Sequence, residues 1–130
     1  MVIPNFVQKA LIGKPIIVYG DGTQSRSFTH VSDVVDAVIR LMAEPRAVGQ
    51  VINVGGAEEV TIKDLALLVK EIIGSQSAIE FIPYEKAYGP GFEDMQRRCP
   101  DITKARQLIG FDPKVDLRGI IQSVIDYYKG

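Results

Sequence analysis

Apolar positions along this chain alternate between a helical period and short uninterrupted runs. Between Pro4 and Ile12, the residues Phe6, Val7, Ala10 and Leu11 share one face of a helix. Gly13 ends that helix, and Pro15 follows at the distance expected of a stop. Ile16 to Tyr19 reads as a strand, broken by Gly20-Asp21-Gly22, where two glycines around an aspartate suit a turn with positive φ. An extended run over Arg26 to Val31 leads to Ser32, the expected N-cap of a second helix whose early residues Asp33 and Asp36 suit the positive end of its dipole. That helix runs to Glu44, with Val34, Val35, Val38, Leu41 and Met42 inside and Asp33, Asp36, Arg40 and Glu44 outside. Pro45 ends it, and Val51 to Val54 is a brief strand closed by Gly55-Gly56.

The helical period returns after Thr61-Ile62-Lys63-Asp64, a capping box with Asp64 in the role usually held by Glu. Ile62, Leu65, Ala66, Leu68, Val69, Ile72 and Ile73 form its buried face, and Gly74 stops it. Ile79 to Pro83 is a candidate strand, rich in β-branched and aromatic residues. Residues 84–100 have no period and read as a long loop, a kind that is usually functional or disordered. Asp101 caps a helix ending at Ile109 and Gly110. Asp116 caps the last one, with Leu117, Ile120, Ile121, Val124, Ile125 and Tyr128 facing in. The expected class is α/β: about five helices with three or four short strands in one domain over residues 1–130, too few strands for a full doubly wound sheet. Such a mixed lobe completes a larger domain.

Composition narrows the function by exclusion. Apolar residues make up 46% of 130, ordinary for a globular protein that buries a core. Fifteen basic against 16 acidic residues leave a net charge of −1, so bulk charge points to neither nucleic acid nor membrane. No apolar run approaches the ~20 residues needed to span a bilayer. Cys99 is the single cysteine and cannot form an internal disulfide, which makes a reducing cytoplasm the default location. Cys99 has no evident base or orienting partner, and His30 has one distant cysteine for company, so neither a thiol nucleophile nor a metal site is expected. His30, two residues from Phe28 on an extended segment, reads as structural. Gly20-x-Gly22 lacks a third glycine in register and opens no helix, so it is not a dinucleotide-binding turn.

Arg26 stands just past the glycine turn with Phe28 nearby, an arrangement that can hold a planar guanidinium against an anion. Val18 to Gly22, Arg26-Ser27-Phe28 and Val31 to Val35 resemble the C-terminal half of extended short-chain dehydrogenase/reductases acting on nucleotide sugars. These are the NAD-dependent UDP-sugar 4-epimerases, dTDP-glucose 4,6-dehydratases and UDP-glucuronate decarboxylases. The resemblance continues through Asn53-Val54-Gly55, Tyr88 to Met95, and Arg97 to Ala105, covering essentially the whole chain.

By that resemblance Arg26 and Arg98, with Arg97 as fallback, clamp a diphosphate bidentately. The alternative is solvated surface arginines. The Ile17-Val18-Tyr19 backbone pairs with the nucleobase edge with the Tyr19 ring near it, or else Tyr19 finishes the core. Asp101 reaches a ribose hydroxyl, serves as a helix cap, or does both. Gln24 touches sugar or phosphates, or is a solvated turn residue. Asn5 and Phe6 border the substrate, Phe6 rather as core. In the resembled enzymes NAD takes a hydride from the sugar and returns it. This needs a glycine-rich turn for the cofactor and a Tyr-x-x-x-Lys pair, and no tyrosine here has a lysine four residues on. The implied reading is the substrate-binding lobe of a UDP-glucose 4-epimerase-like enzyme, with Gly91 to Met95 tilting toward that branch. No catalytic, cofactor or metal residue is expected in it. The parent's NAD-binding Rossmann domain is its partner, UDP- or dTDP-sugar its ligand, and a homodimer the parent's expected state. Met1 lies almost inside a helix, past the middle of such an enzyme, so the chain reads as a fragment. A freestanding non-catalytic nucleotide-binding or interaction domain is the competing reading.

Overall fold

The computed structural model describes residues 1–130. The elements are α1 (Val2–Leu11), β1 (Ile16–Tyr19), β2 (Ser25–Ser27), α2 (Val31–Met42), a 3-10 turn (Pro45–Ala47), β3 (Glu59–Thr61), α3 (Ile62–Ile73), β4 (Ile79–Ile82), α4 (Tyr84–Tyr88), β5 (Arg97–Arg98), α5 (Thr103–Ile109) and α6 (Leu117–Lys129). The class is the expected α/β mixture of helices and few short strands. The chain divides into two compact units: residues 1–26, 60–97 and 121–130 form the first, and residues 27–59 and 98–120 the second. Strands β2, β3 and β5, ordered β3–β2–β5, are each two or three residues long.

In the first unit β1 and β4 pair in parallel, Ile16 opposite Ile79 and Tyr19 opposite Ile82. A parallel pair needs a long crossover, and the connecting chain carries α3. The period read from the sequence places Phe6, Val7 and Ala10 of α1 and Leu65, Ala66 and Val69 of α3 in the core with Ile16 and Val18 of β1. α1 packs on α3 and on β1. Ile121 and Ile125 of α6 are buried as well. Thr61 caps α3 as expected, its hydroxyl accepting the Asp64 N–H at 3.0 Å. The rest of the capping box differs: the Asp64 carboxylate accepts a hydrogen bond from the Thr61 hydroxyl at 2.7 Å. Gly74 closes α3 in the left-handed region. The loop expected over 84–100 contains two elements, α4 and β5. α4 is five residues long, too short for a period to show.

The second unit holds a smaller core of Ala37, Ile102, Ala105, Ile109 and Phe111, with Leu41, Ile52, Val54 and Leu108 against it. Five expectations are corrected here. The cap of α2 is His30, not Ser32: its Nδ1 accepts the Ser32 N–H at 3.2 Å and meets the Ser32 hydroxyl at 2.7 Å. Asp33 does not face solvent. It is buried, and its two carboxylate oxygens accept the backbone N–H groups of Lys114 and Val115 at 3.0 and 3.1 Å. A carboxylate with two such donors is satisfied inside, so polarity alone misplaced it. Third, the apolar stripe of α2 is largely bare: Val35, Val38 and Met42 are exposed, as are Val31 and Ile39. Val51 to Val54, expected as a strand, lies in neither sheet. Asp101 stands one residue outside the cap position of α5, which Ile102 occupies, yet its Oδ1 still accepts the Thr103 N–H at 2.9 Å. Asp116 does cap the start of α6, accepting the Gly119 N–H at 2.8 Å.

Asp33→Ala is expected to strand two inward-facing N–H groups and to cost about 2 kcal/mol or more, read in a thermal melt as a loss of roughly 5–10 °C in Tm. Arg46 holds the Glu44 carboxyl down from 4.5 to about 2, through a side-chain bond first and its N–H second. A depressed carboxyl contributes stability above its unfolded value and loses it as pH falls through the folded one. NMR titration of the Glu44 carboxyl is therefore expected to show it ionised at pH 4, protonating only near pH 2.

Candidate functional site

The site of interest lies in the first unit, where β1 ends. Gly20 and Gly22 take φ of 71° and 75°, as the turn demanded. They also clear space: a Cβ on Gly20 would lie 2.6 Å from Cε2 of Tyr84, and one on Gly22 would lie 2.9 Å from Cβ of Lys63. The turn is pinned by Asp21, whose Oδ1 accepts the Thr23 N–H at 3.0 Å and its hydroxyl at 2.7 Å, which holds the Asp21 carboxyl below its usual range. Gln24 follows and is buried; its Nε2 donates to the Tyr19 carbonyl at 2.9 Å. The solvated reading of Gln24 is thereby overturned, since the amide serves to tie the strand end to the turn.

Arg26 is 8% exposed, which overturns the surface reading. Its two terminal nitrogens donate to the Ser25 carbonyl at 2.7 Å and to Asp94 Oδ2 at 2.6 Å. A guanidinium shut off from water needs a counter-charge. Asp94, its side chain 34% exposed, supplies it from 68 residues further along the chain. The Tyr84 hydroxyl donates to the same carboxylate oxygen at 3.2 Å. Burial first, then the negative charge of Asp94, pushes the Tyr84 phenol above its ordinary value, so it stays a proton donor. Two further bonds join the loop to the turn: Ser25 N–H to the Gln96 carbonyl at 2.8 Å and Gln96 Nε2 to the Thr23 hydroxyl at 3.0 Å.

Aromatic rings flank this network. Tyr19 meets Tyr88 edge to face at 5.4 Å, Tyr88 stacks on Phe92 at 4.4 Å, and Tyr84 lies 5.7 Å from Phe92. Tyr19 remains 39% exposed, so its ring does not finish the core. Among the residues expected to bind, the fold therefore joins Tyr19, Gln24 and Arg26. Arg97 stands exposed on β5, the neighbour of β2. Asn5 is exposed on α1, while Phe6 beside it is core. Arg98 and Asp101 belong to the second unit, and both are exposed. Thr103 lowers the Asp101 carboxyl through its side chain and its N–H. Asp94, Tyr84, Tyr88 and Phe92 were given no role from sequence. Their signal was present, as an acid and three rings in an otherwise unpatterned glycine- and proline-bearing stretch.

Chemically the site offers a preformed cation with a planar fork, a carboxylate that an incoming anion must displace or accommodate, and half-exposed rings. The glycine turn after β1 leads into strand β2 and not into a helix, so it presents no helix N-terminus to a pyrophosphate there.

Comparison with known proteins agrees with the resemblance. The family model for GDP-mannose 4,6 dehydratase matches residues 1–124. UDP-N-acetyl-alpha-D-glucosaminuronate decarboxylase of Bacillus cytotoxicus is 39% identical over 128 residues, covering 98% of this chain and 40% of that protein. UDP-glucuronic acid decarboxylase 2 of Arabidopsis thaliana is 46% identical over 117 residues, covering 90% of this chain and 24% of that one. Among solved structures, UDP-glucuronic acid 4-epimerase from Bacillus cereus, in complex with UDP-glucuronic acid and NAD, superposes with a TM-score of 0.86 at 29% identity, over 99% of this chain and 40% of that one. The chain thus spans between about a quarter and two fifths of the length of these relatives.

Gly20→Ala tests the seat of Tyr84. Positive φ and the ring contact together are expected to cost about 1–3 kcal/mol, with a lower urea midpoint and displaced Tyr84 and Asp94 resonances. An unchanged midpoint would mean that the ring does not rest there.

Proposed function

The chain belongs to the NAD-dependent epimerase/dehydratase family, and we propose that within it the first unit grips the diphosphate of a UDP- or dTDP-sugar through Arg26. The carrying observation is the water-excluded Arg26 guanidinium, balanced only from a part-exposed carboxylate and bordered by half-exposed rings. A structural ion pair needs no such aromatic border. In this reading the phosphate oxygens take the bidentate fork that Asp94 now shares. By the resemblance read from the sequence, Arg98, with Arg97 in reserve, and Asp101 are the further candidates for contact with diphosphate and ribose. The Tyr19 strand end receives the nucleobase, Gln24 orients the turn, and Asn5 borders the sugar. That the relatives above are described with UDP-sugar names and, in the epimerase, with bound UDP-glucuronic acid supports this class of ligand.

The chain on its own is not expected to perform the redox step. It carries no Tyr-x-x-x-Lys pair and no strand-to-helix glycine turn. NAD, which accompanies the epimerase structure, would be held by a cofactor domain of the parent enzyme. The exposed α2 residues Val31, Val35, Val38, Ile39 and Met42, with Val51 and Val48 nearby in sequence, are the apolar surface that such a domain, or self-association in its absence, would cover. The parent would be a homodimer of the cytoplasm, where the lone Cys99 stays reduced. Gly91 to Met95 tilt the reading toward a UDP-glucose 4-epimerase-like outcome; the decarboxylase names of two relatives make UDP-glucuronate decarboxylation the second reading, with dTDP-glucose dehydration third.

Calorimetry decides the grip. The 130-residue chain is expected to bind UDP weakly, and Arg26→Ala to weaken it at least about tenfold, the worth of one charge-assisted hydrogen bond. No heat at millimolar UDP, or an unaffected Arg26→Ala, would leave the freestanding interaction-domain reading.

A further inference from the structure

Residues 90–98 are all exposed, and a segment with no buried side chain keeps its place only through the bonds it makes. Gly89 and Gly91 bend it at φ of 90° and 82°, and a Cβ on either would meet nothing within 4 Å. Asp94 supplies its ionic tether to β2. The Asp94 Oδ2 lies 2.6 Å from the Arg26 guanidinium and 3.2 Å from the Tyr84 hydroxyl, so two donors converge on a single anionic oxygen. The contact with Arg26 is end-on, through one nitrogen of a fork that can pair two oxygens at once. The partners are also unequal: the Arg26 side chain is 10% exposed and that of Asp94 34%. The cation is set into the unit, and its counter-charge stands at the edge on a strap of exposed chain.

We infer that Asp94 is the resident anion of the Arg26 site: its Oδ2 marks the seat of a phosphate oxygen, and a nucleoside diphosphate takes that seat by exchange, freeing residues 89–95 from Arg26. The inference rests on the diphosphate grip proposed above and adds what the empty site holds in the ligand's place. Arg26 and Tyr84 donate to Oδ2 as they would to a phosphate oxygen. The Tyr84 phenol, pushed up by burial first and by Asp94 second, stays protonated and able to donate. A diphosphate beside a retained Asp94 carboxylate would meet like charge at close range, with little water between them to screen it. Exchange removes that repulsion, and it favours polyanions. A singly charged group only substitutes for Asp94, whereas a diphosphate brings about two charges and enough oxygens to fill the fork. Asp94 in this way sets the charge a ligand must carry, and the strap that bears it is held or released as the site empties or fills.

The test turns on a sign. The wild-type chain, Asp94→Asn and Arg26→Ala are titrated calorimetrically with inorganic pyrophosphate and with UDP, with circular dichroism as the check on folding. Asp94→Asn keeps an oxygen for Arg26 and Tyr84 but removes the charge. It is therefore expected to bind both ligands about tenfold more tightly than the wild type, the scale of one relieved like-charge contact. A carboxylate that stays in place to aim the guanidinium predicts weaker binding instead. In the wild-type chain, saturating pyrophosphate is expected to lower the heteronuclear NOE of the Gly91 to Met95 amides and to shift the Asp94 carboxyl carbon, a readout that does not depend on any variant folding. Equal or weaker binding by Asp94→Asn, or an unchanged NOE at saturation, would overturn the exchange, while loss of binding in Arg26→Ala would leave the grip standing. Failure of both ligands to bind the wild type and Asp94→Asn alike would overturn grip and exchange together.

Discussion

A guanidinium removed from water must be matched by a negative charge, and in this molecule the match for Arg26 is Asp94. Several features of the first unit follow from that pairing. The loop after β4 cannot wander, because its carboxylate is committed to β2. Tyr84, whose hydroxyl shares the same oxygen, must lie against the backbone of Gly20, where only glycine leaves room. Gln24 must turn inward to hold the Tyr19 carbonyl. The glycine turn, the buried amide and the half-exposed rings are therefore parts of one arrangement, in which a charge is kept desolvated near the surface. Such a charge strengthens its interaction with any anion that replaces Asp94, because water competes with it less.

The second unit is held by a comparable device with a different outcome. Asp33 is also a carboxylate removed from solvent, but its partners are two backbone N–H groups rather than a cation. Backbone donors hold Asp33 inside the fold, whereas Asp94 answers a side-chain cation and keeps part of its carboxylate in solvent. The anchoring of Asp33 also explains how α2 can remain in place with much of its apolar stripe bare: its first turn is anchored by hydrogen bonds, and Ala37 and Leu41 suffice to seat it on the small core.

Much of this was legible in the chain itself. Local signals did well. The period of α1 and α3 gave their buried faces, the Gly20-Asp21-Gly22 run gave its positive φ, and Thr61 gave the start of α3. The ordered series of short motifs from Val18 to Ala105 gave the family. Signals failed where a residue's partner lies far away in sequence. Asp33 on a helix face with Asp36 looks solvated until the 114–115 backbone is brought to it. Ser32 is a different case, a local one: the imidazole two residues before it accepts the Ser32 N–H and so takes the cap position itself. The stripe Val35, Val38, Met42 looks like core because amphipathicity states that a face is apolar, not what covers it.

The sequence by itself determined most of the helices, the turn and the class of fold, and singled out Arg26, because each depends on chemistry within a few positions. Only the tertiary structure decided which carboxylate neutralises that arginine, that Gln24 is buried, and that the rings of Tyr19, Tyr88 and Phe92 meet. The Arg26–Asp94 pair and the Tyr19–Tyr88 contact each bring together segments some seventy positions apart, and only the closed chain defines those distances.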